Sequence, residues 1–396
     1  MLIFRIFSFV FFLGLALHIS QSAQWADGQK LIMANRIQEI HLDFPTADPA
    51  QTPPNVSIAE SETVATTAGN AKDPNKPEPD KEKDRNQTIR QEQPEKTAFA
   101  IFQRKKNRPD VVEVSQYPKF YRGLYISNKT TREKLKFGKL RQDARQAGIN
   151  AFIIDVQPYK IPAELLDSLR QEGFHPVARL VVFEGGLKTA QPAKEHMNRL
   201  KRHLQNACQS GFSEIQFDYI RFEDGVRVNL SIQKRYDRIT GIIEELKSYM
   251  NDCNRDIQFG ADIFGRVPFL QNDIIGQRVE NFSESLDILY PMMYPSHFYG
   301  QPKRIKNPYQ TVYDGVKQSQ KRVKKGTRII PYIQGFNMAV RPSGLKYHEY
   351  IKQQIKGSYD SESDGFVVWN AFNDYKVTFK ALAEIDGKSS VADGGN

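Results

Sequence analysis

The chain contains, from residue 193 to residue 220, the stretch AKEHMNRLKRHLQNACQSGFSEIQFDYI. Its first part, residues 193–210, is amphipathic and stops at Gly211, a residue type that commonly terminates helices. Residues 214–220 then form a short apolar run that is interrupted by Asp218. The stretch therefore predicts a helix, a glycine cap and a buried strand that carries a carboxylate near its end.

The same unit of buried strand and amphipathic helix recurs eight times in about 265 residues, which matches a closed barrel of about 250 residues. Apolar strands that alternate with helices indicate a parallel sheet covered by helices. We therefore predict an α/β fold, a (β/α)8 TIM barrel over residues 121–386. An open doubly wound sheet usually carries a glycine-rich loop after its first strand, whereas Ser127-Asn128-Lys129-Thr130 follows that strand here. The predicted strands span residues 121–127, 151–156, 175–182, 214–220, 257–263, 288–293, 328–334 and 365–369.

The segments outside the barrel differ from it in composition. Residues 1–23 combine a positive start, an apolar run of about 14 residues and small residues before Ala23. They predict a signal peptide, because a bilayer-spanning helix needs about 20 residues; an uncleaved N-terminal anchor is the alternative. Residues 24–98 are predicted to be a mostly disordered low-complexity linker, because they carry too little apolar surface to fold. Residues 99–120 are a lead-in segment, and residues 387–396 are predicted to be a disordered tail.

Export follows from this N-terminus, so we expect a secreted, periplasmic or cell-envelope protein. It would meet a membrane only through a retained N-terminal segment. The formal net charge of +10 attracts acidic partners, but the basic residues are scattered and no nucleic-acid motif accompanies them, so we expect no nucleic-acid partner. Cys208 and Cys253 leave two interpretations open, a disulfide of the kind that exported proteins keep or two separate half-buried thiols.

Carboxylates interrupt the apolar strands near their ends, where the active sites of such barrels are built. Asp155, Asp218 and Asp262 lie there on the second, fourth and fifth strands, and each would be costly to bury alone. Glycoside cleavage needs one carboxyl group to protonate the leaving oxygen and another to attack or to activate water. Asp218 and Asp262, on adjacent strands, are therefore the predicted catalytic pair. Arg179 or Arg221 would keep one of them ionised.

Other polar and aromatic residues at the strand ends suit sugar recognition, because sugars stack on rings and present many hydroxyls. The seven histidines show no metal-ligand spacing, and we predict neither a metal site nor a cofactor. Structural roles are the alternatives: ion pairing for Asp218, support for Asp262, a surface loop for His297 and packing for Trp369. The predicted substrate-binding residues are Asp155, Arg179, Tyr219, Arg221, Tyr294, His297, Gln334, Trp369 and Asn370.

Six strand-end strings resemble a family of exported bacterial proteins that is catalogued as a domain of unknown function and assigned to the glycoside hydrolases. The resemblance covers about residues 121–373 and implies a barrel related to retaining α-glycosidases, with the fourth-strand aspartate, Asp218, as nucleophile. Two positions depart from the family's pattern: Glu223 stands where proline is frequent, and Gln157-Pro158 stands where the second strand usually ends in lysine. The strings are RGLY (122–125), INAFIIDV (149–156), FDYIRF (217–222), ADIFG (261–265), MMYPSH (292–297) and IQGF (333–336).

Three functions are consistent with these residues. The first is an exported glycoside hydrolase or transglycosylase that acts on a surface or extracellular polysaccharide or oligosaccharide. The second is a non-catalytic carbohydrate-binding or scaffold protein on the same barrel, which carboxyl groups more than about 10 Å apart would favour. The third is another hydrolase, deacetylase-like or ester-cleaving, which would need a metal triad or a nucleophile with its base.

Overall fold

The computed structural model describes residues 117–253 and 255–387, and in them parallel strands close into a barrel. Strands β1 to β6 pair in chain order, β6 pairs with both β7 and β8, β8 pairs with β9, and the β1–β9 pairing closes the ring. The predicted (β/α)8 barrel is confirmed. The predictions for residues 1–23, 24–98 and 388–396, and for most of 99–120, lie outside the described residues. The strands are β1 (Tyr121–Ile126), β2 (Ala151–Asp155), β3 (His175–Val181), β4 (Glu214–Asp218), β5 (Gln258–Phe264), β6 (Ile288–Met292), β7 (Arg328–Ile329), β8 (Tyr332–Gln334) and β9 (Gly365–Trp369).

Helices cover the outside of the barrel and return the chain to the start of each next strand. Within the described residues, none of them is both long and apolar enough to cross a membrane. The helices are α1 (Asn128–Arg132), α2 (Lys134–Gln146), α3 (Ala163–Gln171), α4 (Lys194–Ser210), α5 (Ile232–Ser248), α6 (Val279–Ser285), α7 (Pro302–Lys306), α8 (Pro308–Gln320), α9 (Tyr347–Asp360) and α10 (Lys376–Ile385).

The strands alternate between two cores, because successive side chains of a strand point to opposite faces. Inside the barrel, Ile153, Val177 and Val367 belong to one cluster that is fully buried and rich in tyrosine. Phe152 and Phe217, each one position away from an inward residue, pack outward against the helices in a second and larger cluster. Truncating one of these phenylalanines to alanine would cost about 3–5 kcal/mol. The same alternation directs the polar residues of each strand into the barrel.

The barrel has eight strand positions, here called staves. The seventh stave consists of two short strands, β7 and β8, where the sequence predicts one. Pro331 lies between them and has no backbone N–H to donate. The stave nevertheless stays joined to both neighbours: Ile330 donates to the carbonyl of Leu289 at 3.1 Å, and the Pro331 carbonyl accepts from Val367 at 2.9 Å. The interruption therefore leaves the barrel closed.

A disulfide joins Cys208 in the last turn of α4 to Cys253, which follows α5. It confirms one of the two interpretations that the sequence leaves open. Gly211, at the end of α4, has φ of 101°, a left-handed conformation in which a side chain would be strained. The glycine cap predicted from the sequence is therefore present, and it turns the chain from α4 into β4.

Candidate active site

Three aspartates converge on one arginine at the C-terminal end of the barrel. Arg179 of β3 pairs with Asp155 of β2 through Nη1 and with Asp218 of β4 through Nη2. Its Nε lies 4.0 Å from Oδ2 of Asp262 on β5. The strand register explains the convergence, because Asp155 stands directly opposite Arg179 in the ladder and all four side chains point inward. The convergence expected from the sequence is thus what the structure shows.

Burial deepens across this cluster. The exposed fraction of the side chain is 17% for Asp155, 10% for Arg179, 7% for Asp218 and 3% for Asp262. The cluster therefore opens toward solvent at Asp155 and is closed around Asp262.

Asp262 lies in surroundings that disfavour its charged form. Burial, and then the negative charge of Asp218, raise the pKa of Asp262 well above its ordinary value of 3.8, although Arg179 opposes them. A hydrogen bond between the two carboxyl groups, which needs a proton on one of them, acts in the same direction. Asp218 also accepts hydrogen bonds from Arg179 and from the backbone N–H of Tyr219, the latter at 2.6 Å. The surroundings of Asp262 therefore favour its protonated form.

A second polar layer, which the sequence-based prediction omitted, supports Asp262. The amide Nε2 of Gln216 donates to Oδ1 of Asp262 at 2.7 Å. The hydroxyl of Tyr332 donates to Oε1 of Gln216 at 3.0 Å, so both ends of this buried amide are bonded. The signal that could have found Gln216 is the alternation in β4, where Glu214, Gln216 and Asp218 all face the barrel interior.

Tyr125, at the end of β1, is a further residue that the prediction omitted. Its hydroxyl donates to Oδ2 of Asp155 at 2.6 Å, and the guanidinium of Arg179 lies 5.2 Å from its ring centroid. Its ring stacks on Trp369 with centroids 5.8 Å apart. Tyr125 thereby joins the charged cluster to the aromatic residues of the barrel mouth.

The aromatic residues occupy the side of the mouth formed by β6, β8 and β9. Tyr294 lies 6.2 Å from Trp369 and 5.8 Å from Phe336, measured between ring centroids. His297 lies farther out, 5.1 Å from Tyr294, and is exposed. The mouth therefore has an ionic half on β2 to β5 and an aromatic half on the remaining staves, and Tyr294, His297 and Trp369 line the latter.

Arg221 is not a partner of Asp218, although the sequence left it as an alternative to Arg179. Its Nη1 donates to the carbonyl of Phe222 at 2.7 Å and pairs with Asp224 at 3.2 Å. Its guanidinium lies over Phe264, 4.2 Å from the ring centroid. The cause is the end of β4: Tyr219 has φ of 52°, so the strand stops there and the following residues turn away.

Two predicted sugar-binding amides bond to the backbone of the surrounding loops. Gln334 is fully buried; it donates to the carbonyls of Phe336 and Met338 at 2.9 and 2.7 Å and accepts from Ser296 at 3.2 Å. Asn370 donates to the carbonyl of Gly335 at 2.6 Å. These amides hold the loops that carry the aromatic half, and a contact with sugar would require them to give up those bonds.

Glu223 and one group of possible metal ligands lie apart from the cluster. Glu223, the residue that departs from the family's pattern, pairs with Lys188 at 3.4 Å. Among the described residues, His348, Glu349 and Glu384 have the spacing to hold an ion, but they lie on the outer helices α9 and α10. Lys352 already places its ammonium 2.8 Å from Glu349 and 3.0 Å from Glu384.

A second buried carboxylate lies at the opposite end of the barrel. Glu214, the first residue of β4, is fully buried and accepts hydrogen bonds from Tyr121 at 2.6 Å, from Tyr290, and from the ring of His175 at 2.8 Å. Burial alone would raise the pKa of Glu214, but the hydrogen bond and charge of His175 and the two tyrosine hydroxyls outweigh it and hold that pKa below its ordinary value. This cluster is closed and satisfied by donors.

The chain has distant similarities to solved structures. The chain is similar to the PgaB (BpsB) glycoside hydrolase domain from Bordetella bronchiseptica, at 10% identity and a TM-score of 0.49, over 67% of this chain and 98% of that chain. It is also similar to the spore cortex-lytic enzyme SleL from Bacillus cereus, at 11% identity and a TM-score of 0.48, over 68% of this chain and 75% of that one. Similarities this distant carry no argument about function.

Sequence comparisons give one family. No curated protein matches the chain. The matched part of the chain contains four of the six strand-end strings, those of the fourth to seventh staves, and both Asp218 and Asp262. The resemblance predicted from those strings is confirmed, because residues 202–375 match the family model described as "Putative glycosyl hydrolase domain".

Proposed function

We propose that the barrel cleaves or transfers a glycosidic bond of a polysaccharide or oligosaccharide, with Asp218 and Asp262 as its catalytic groups. The observation that carries this proposal is the carboxyl pair at the barrel mouth, where Asp218 and Asp262 meet the same guanidinium and where burial and Asp218 raise the pKa of Asp262. Glycoside cleavage requires such an unequal pair. The family match is consistent with it.

In this mechanism Asp262 is the general acid. Its proton, directed to Asp218 in the free protein, would pass to the glycosidic oxygen as the bond to the anomeric carbon breaks. Asp218, paired with Arg179, would attack that carbon or stabilise its positive charge. In the free protein a side-chain hydrogen bond with Asp218 contributes to the raised pKa of Asp262. A sugar that receives the proton must therefore replace this interaction.

Arg179 and Tyr125 would position the charged groups. Arg179 holds Asp155 and Asp218 at a fixed separation, and Tyr125 holds the second oxygen of Asp155. Tyr294, His297 and Trp369 would contact the sugar from the aromatic half. Tyr219 and Arg221, at the turn after β4, are proposed to border the same pocket on its other side.

A binding protein without turnover is the second candidate function. The low exposure of the two carboxyl groups, 7% and 3%, favours it, because a substrate must displace surrounding groups to reach them. Their shared contact with one guanidinium argues against it, because a wide separation of the carboxyl groups is the feature expected of a barrel that binds without cleaving.

The experiment that tests the proposal is an activity screen of the full-length chain against a panel of polysaccharides, with Asp218→Asn and Asp237→Asn as variants. Asp237 is an exposed aspartate on the outer helix α5 that accepts a hydrogen bond from Gln233, so it is the matched control. We expect released oligosaccharides from the wild type and from Asp237→Asn, and a rate lower by roughly 10³-fold or more for Asp218→Asn. Equal rates for a folded Asp218→Asn protein would contradict the proposed mechanism, and binding without cleavage by the wild type would favour the second candidate.

We further propose that the protein acts outside the cytoplasm, in the periplasm, the cell envelope or the medium. The signal-like residues 1–23 support export, and the disulfide between Cys208 and Cys253 is of a kind that persists in oxidising compartments. Cell fractionation followed by mass spectrometry of the disulfide-linked peptide tests both points, and a reduced protein in the cytoplasmic fraction would contradict them.

A further inference from the structure

The large hydrophobic side chains that are exposed share one face of the barrel. Among the described residues, each such side chain lies in a connection that follows a strand or in the first turn of the next helix, which places it at the C-terminal end of the barrel around the candidate site. An exposed apolar surface concentrated in this way marks a binding face. These residues are Leu135, Tyr159, Ile232, Leu270, Ile274, Tyr299 and Phe372.

Two of them are tyrosines on opposite sides of the mouth. Tyr159 follows β2 and Tyr299 follows β6, and these strands stand four staves apart in a ring of eight. Their exposed fractions are 56% and 51%. A line that joins the two connections therefore crosses the mouth of the barrel.

Each ring is held by a neighbour. The guanidinium of Arg132 lies 4.2 Å from the ring centroid of Tyr159, and the amide of Asn128 donates to the carbonyl of Tyr159 at 2.7 Å. The ring of Tyr299 stacks on His297 with centroids 6.2 Å apart and planes inclined by 17°. A ring that is already oriented loses less conformational entropy when a ligand stacks on it.

A series of aromatic contacts leads from Tyr299 into the candidate site. His297 lies 5.9 Å from Phe336, Phe336 lies 5.6 Å from Trp369, and Trp369 stacks on Tyr125 at 5.8 Å. Exposure falls along this series, from exposed at its outer end to half-buried at Trp369 and buried at Tyr125. Tyr125 bonds Asp155, which ends β2, the strand that Tyr159 follows.

We propose that these residues form a track for a chain of several pyranose units, with Tyr159 and Tyr299 as its two outermost sugar-binding positions. The inference rests on the proposed function and adds to it that the ligand is an extended polysaccharide lying across the mouth, not a short sugar held at one end. An aromatic ring stacks best on a sugar unit whose C–H groups form a flat apolar face. Polysaccharides with equatorial linkages present such faces, so we expect the ligand to be of this class. Cleavage would then fall inside the chain.

The test measures binding by calorimetry with the full mature chain carrying Asp218→Asn, which prevents turnover. The probes are the disaccharides and hexasaccharides of β-1,4-linked glucose, mannose and N-acetylglucosamine. We expect one hexasaccharide to bind at least about tenfold more tightly than its disaccharide. Adding Tyr159→Ala or Tyr299→Ala should weaken the hexasaccharide roughly threefold to tenfold and leave the disaccharide unchanged.

Tyr313→Ala is the matched control, because this half-buried tyrosine stacks on Tyr309 along α8 on the outer wall of the barrel. The two outer substitutions should combine independently, because their sites share no contact. Equal affinity for both lengths, or an effect of only one outer tyrosine, would overturn the crossing track and leave the proposed function standing. No binding of any probe would overturn the selection of equatorially linked chains, whereas the proposed function is tested by the polysaccharide screen.

Discussion

The barrel encloses two buried carboxylate clusters, one at each end. The pKa of the buried carboxyl group is shifted in opposite directions in the two clusters. At the N-terminal end, Glu214 meets only donors, from Tyr121, Tyr290 and His175, and the pKa of Glu214 is lowered. At the C-terminal end, Asp262 faces a second carboxyl group, and the pKa of Asp262 is raised by burial and by that neighbour. Depth of burial is therefore not what distinguishes them.

This difference indicates which of the two clusters can act as a proton donor. A carboxylate that meets three donors and has a lowered pKa holds no proton to give, so the Glu214 cluster stabilises the fold. A carboxyl group that keeps a proton because its neighbour is charged can deliver that proton when a new acceptor arrives. The comparison predicts that substitutions at the two ends will separate stability from activity.

The largest expected effect is the loss of activity in Asp262→Asn. The amide mimics the protonated acid, because it can donate to Asp218 and accept from Gln216, but it cannot release a proton. We expect the rate of polysaccharide cleavage to fall by roughly 10²- to 10⁴-fold, measured by the release of reducing ends. Asp273→Asn, a buried aspartate that pairs with Arg266 instead, is the control and should keep the wild-type rate.

The next effect is a loss of stability in Glu214→Gln. The new amide group meets hydroxyl and ring N–H donors, so at least one buried donor loses its acceptor, at about 1–3 kcal/mol. Chemical denaturation measures this loss. The rate per folded molecule should stay at the wild-type value, and a large fall in that rate would show that the two clusters are not separate.

The stabilising contribution of Glu214 also has a predicted pH dependence. Because the pKa of Glu214 is lower in the folded state than the ordinary 4.5, this contribution is present above pH 4.5 and is lost as the pH falls through the folded-state pKa. The unfolding free energy of Glu214→Gln should therefore depend less on pH than that of the wild type in this acid range. An unchanged slope would contradict the assignment.

A smaller effect is expected on the pH–rate profile of Gln216→Leu. The Gln216 amide favours the charged form of Asp262, so its removal should raise the pKa of Asp262 further and move the alkaline limb of the profile to higher pH, by about one unit or less. Gln277→Leu is the matched control: Gln277 is buried and donates to the backbone carbonyl of Asp262, not to its carboxyl group. A limb that moves equally in both variants would indicate general loosening.

The smallest predicted effect is a slight stabilisation by Asp262→Asn at neutral pH. The folded protein holds the Asp262 proton more tightly than the unfolded chain, so unfolding becomes easier as the pH rises from 3.8 toward the raised folded-state value. Asparagine does not titrate and removes this penalty. We expect an unfolding free energy equal to that of the wild type or higher by about 1 kcal/mol, and a loss of several kcal/mol would contradict the assignment.

The sequence was sufficient to predict the staves of the barrel and the convergence of its aspartates. Both depend on local patterns. Apolar strands alternate with helices, and a carboxylate inside an apolar strand is costly to bury unless it has a partner. Asp155, Arg179, Asp218 and Asp262 could be brought together because they end neighbouring strands in a parallel ladder.

Contacts between distant parts of the chain were harder to predict. Tyr332 reaches Gln216 across 116 residues, and nothing local marks either as part of the site. Arg221 stayed an alternative to Arg179 because strand ends often bend, and the sequence does not show which way the chain turns at Tyr219. Gln334 was proposed to bind sugar, but in the folded chain its amide donates hydrogen bonds to the loop carbonyls of Phe336 and Met338. In each case a side chain's partner is set by where loops fold back, which residue spacing does not encode.

The most direct measurement is a carbon-13 NMR titration of the aspartate carboxyl groups, with Asp262→Asn used to assign the Asp262 signal. The account predicts that this carboxyl group titrates with a midpoint well above 3.8, the ordinary value for an aspartate. It also predicts that the midpoint drops when Asp218→Asn removes the neighbouring charge. A midpoint at or below 3.8 in the wild type would contradict it, and the carboxyl pair would then be a structural feature of the barrel.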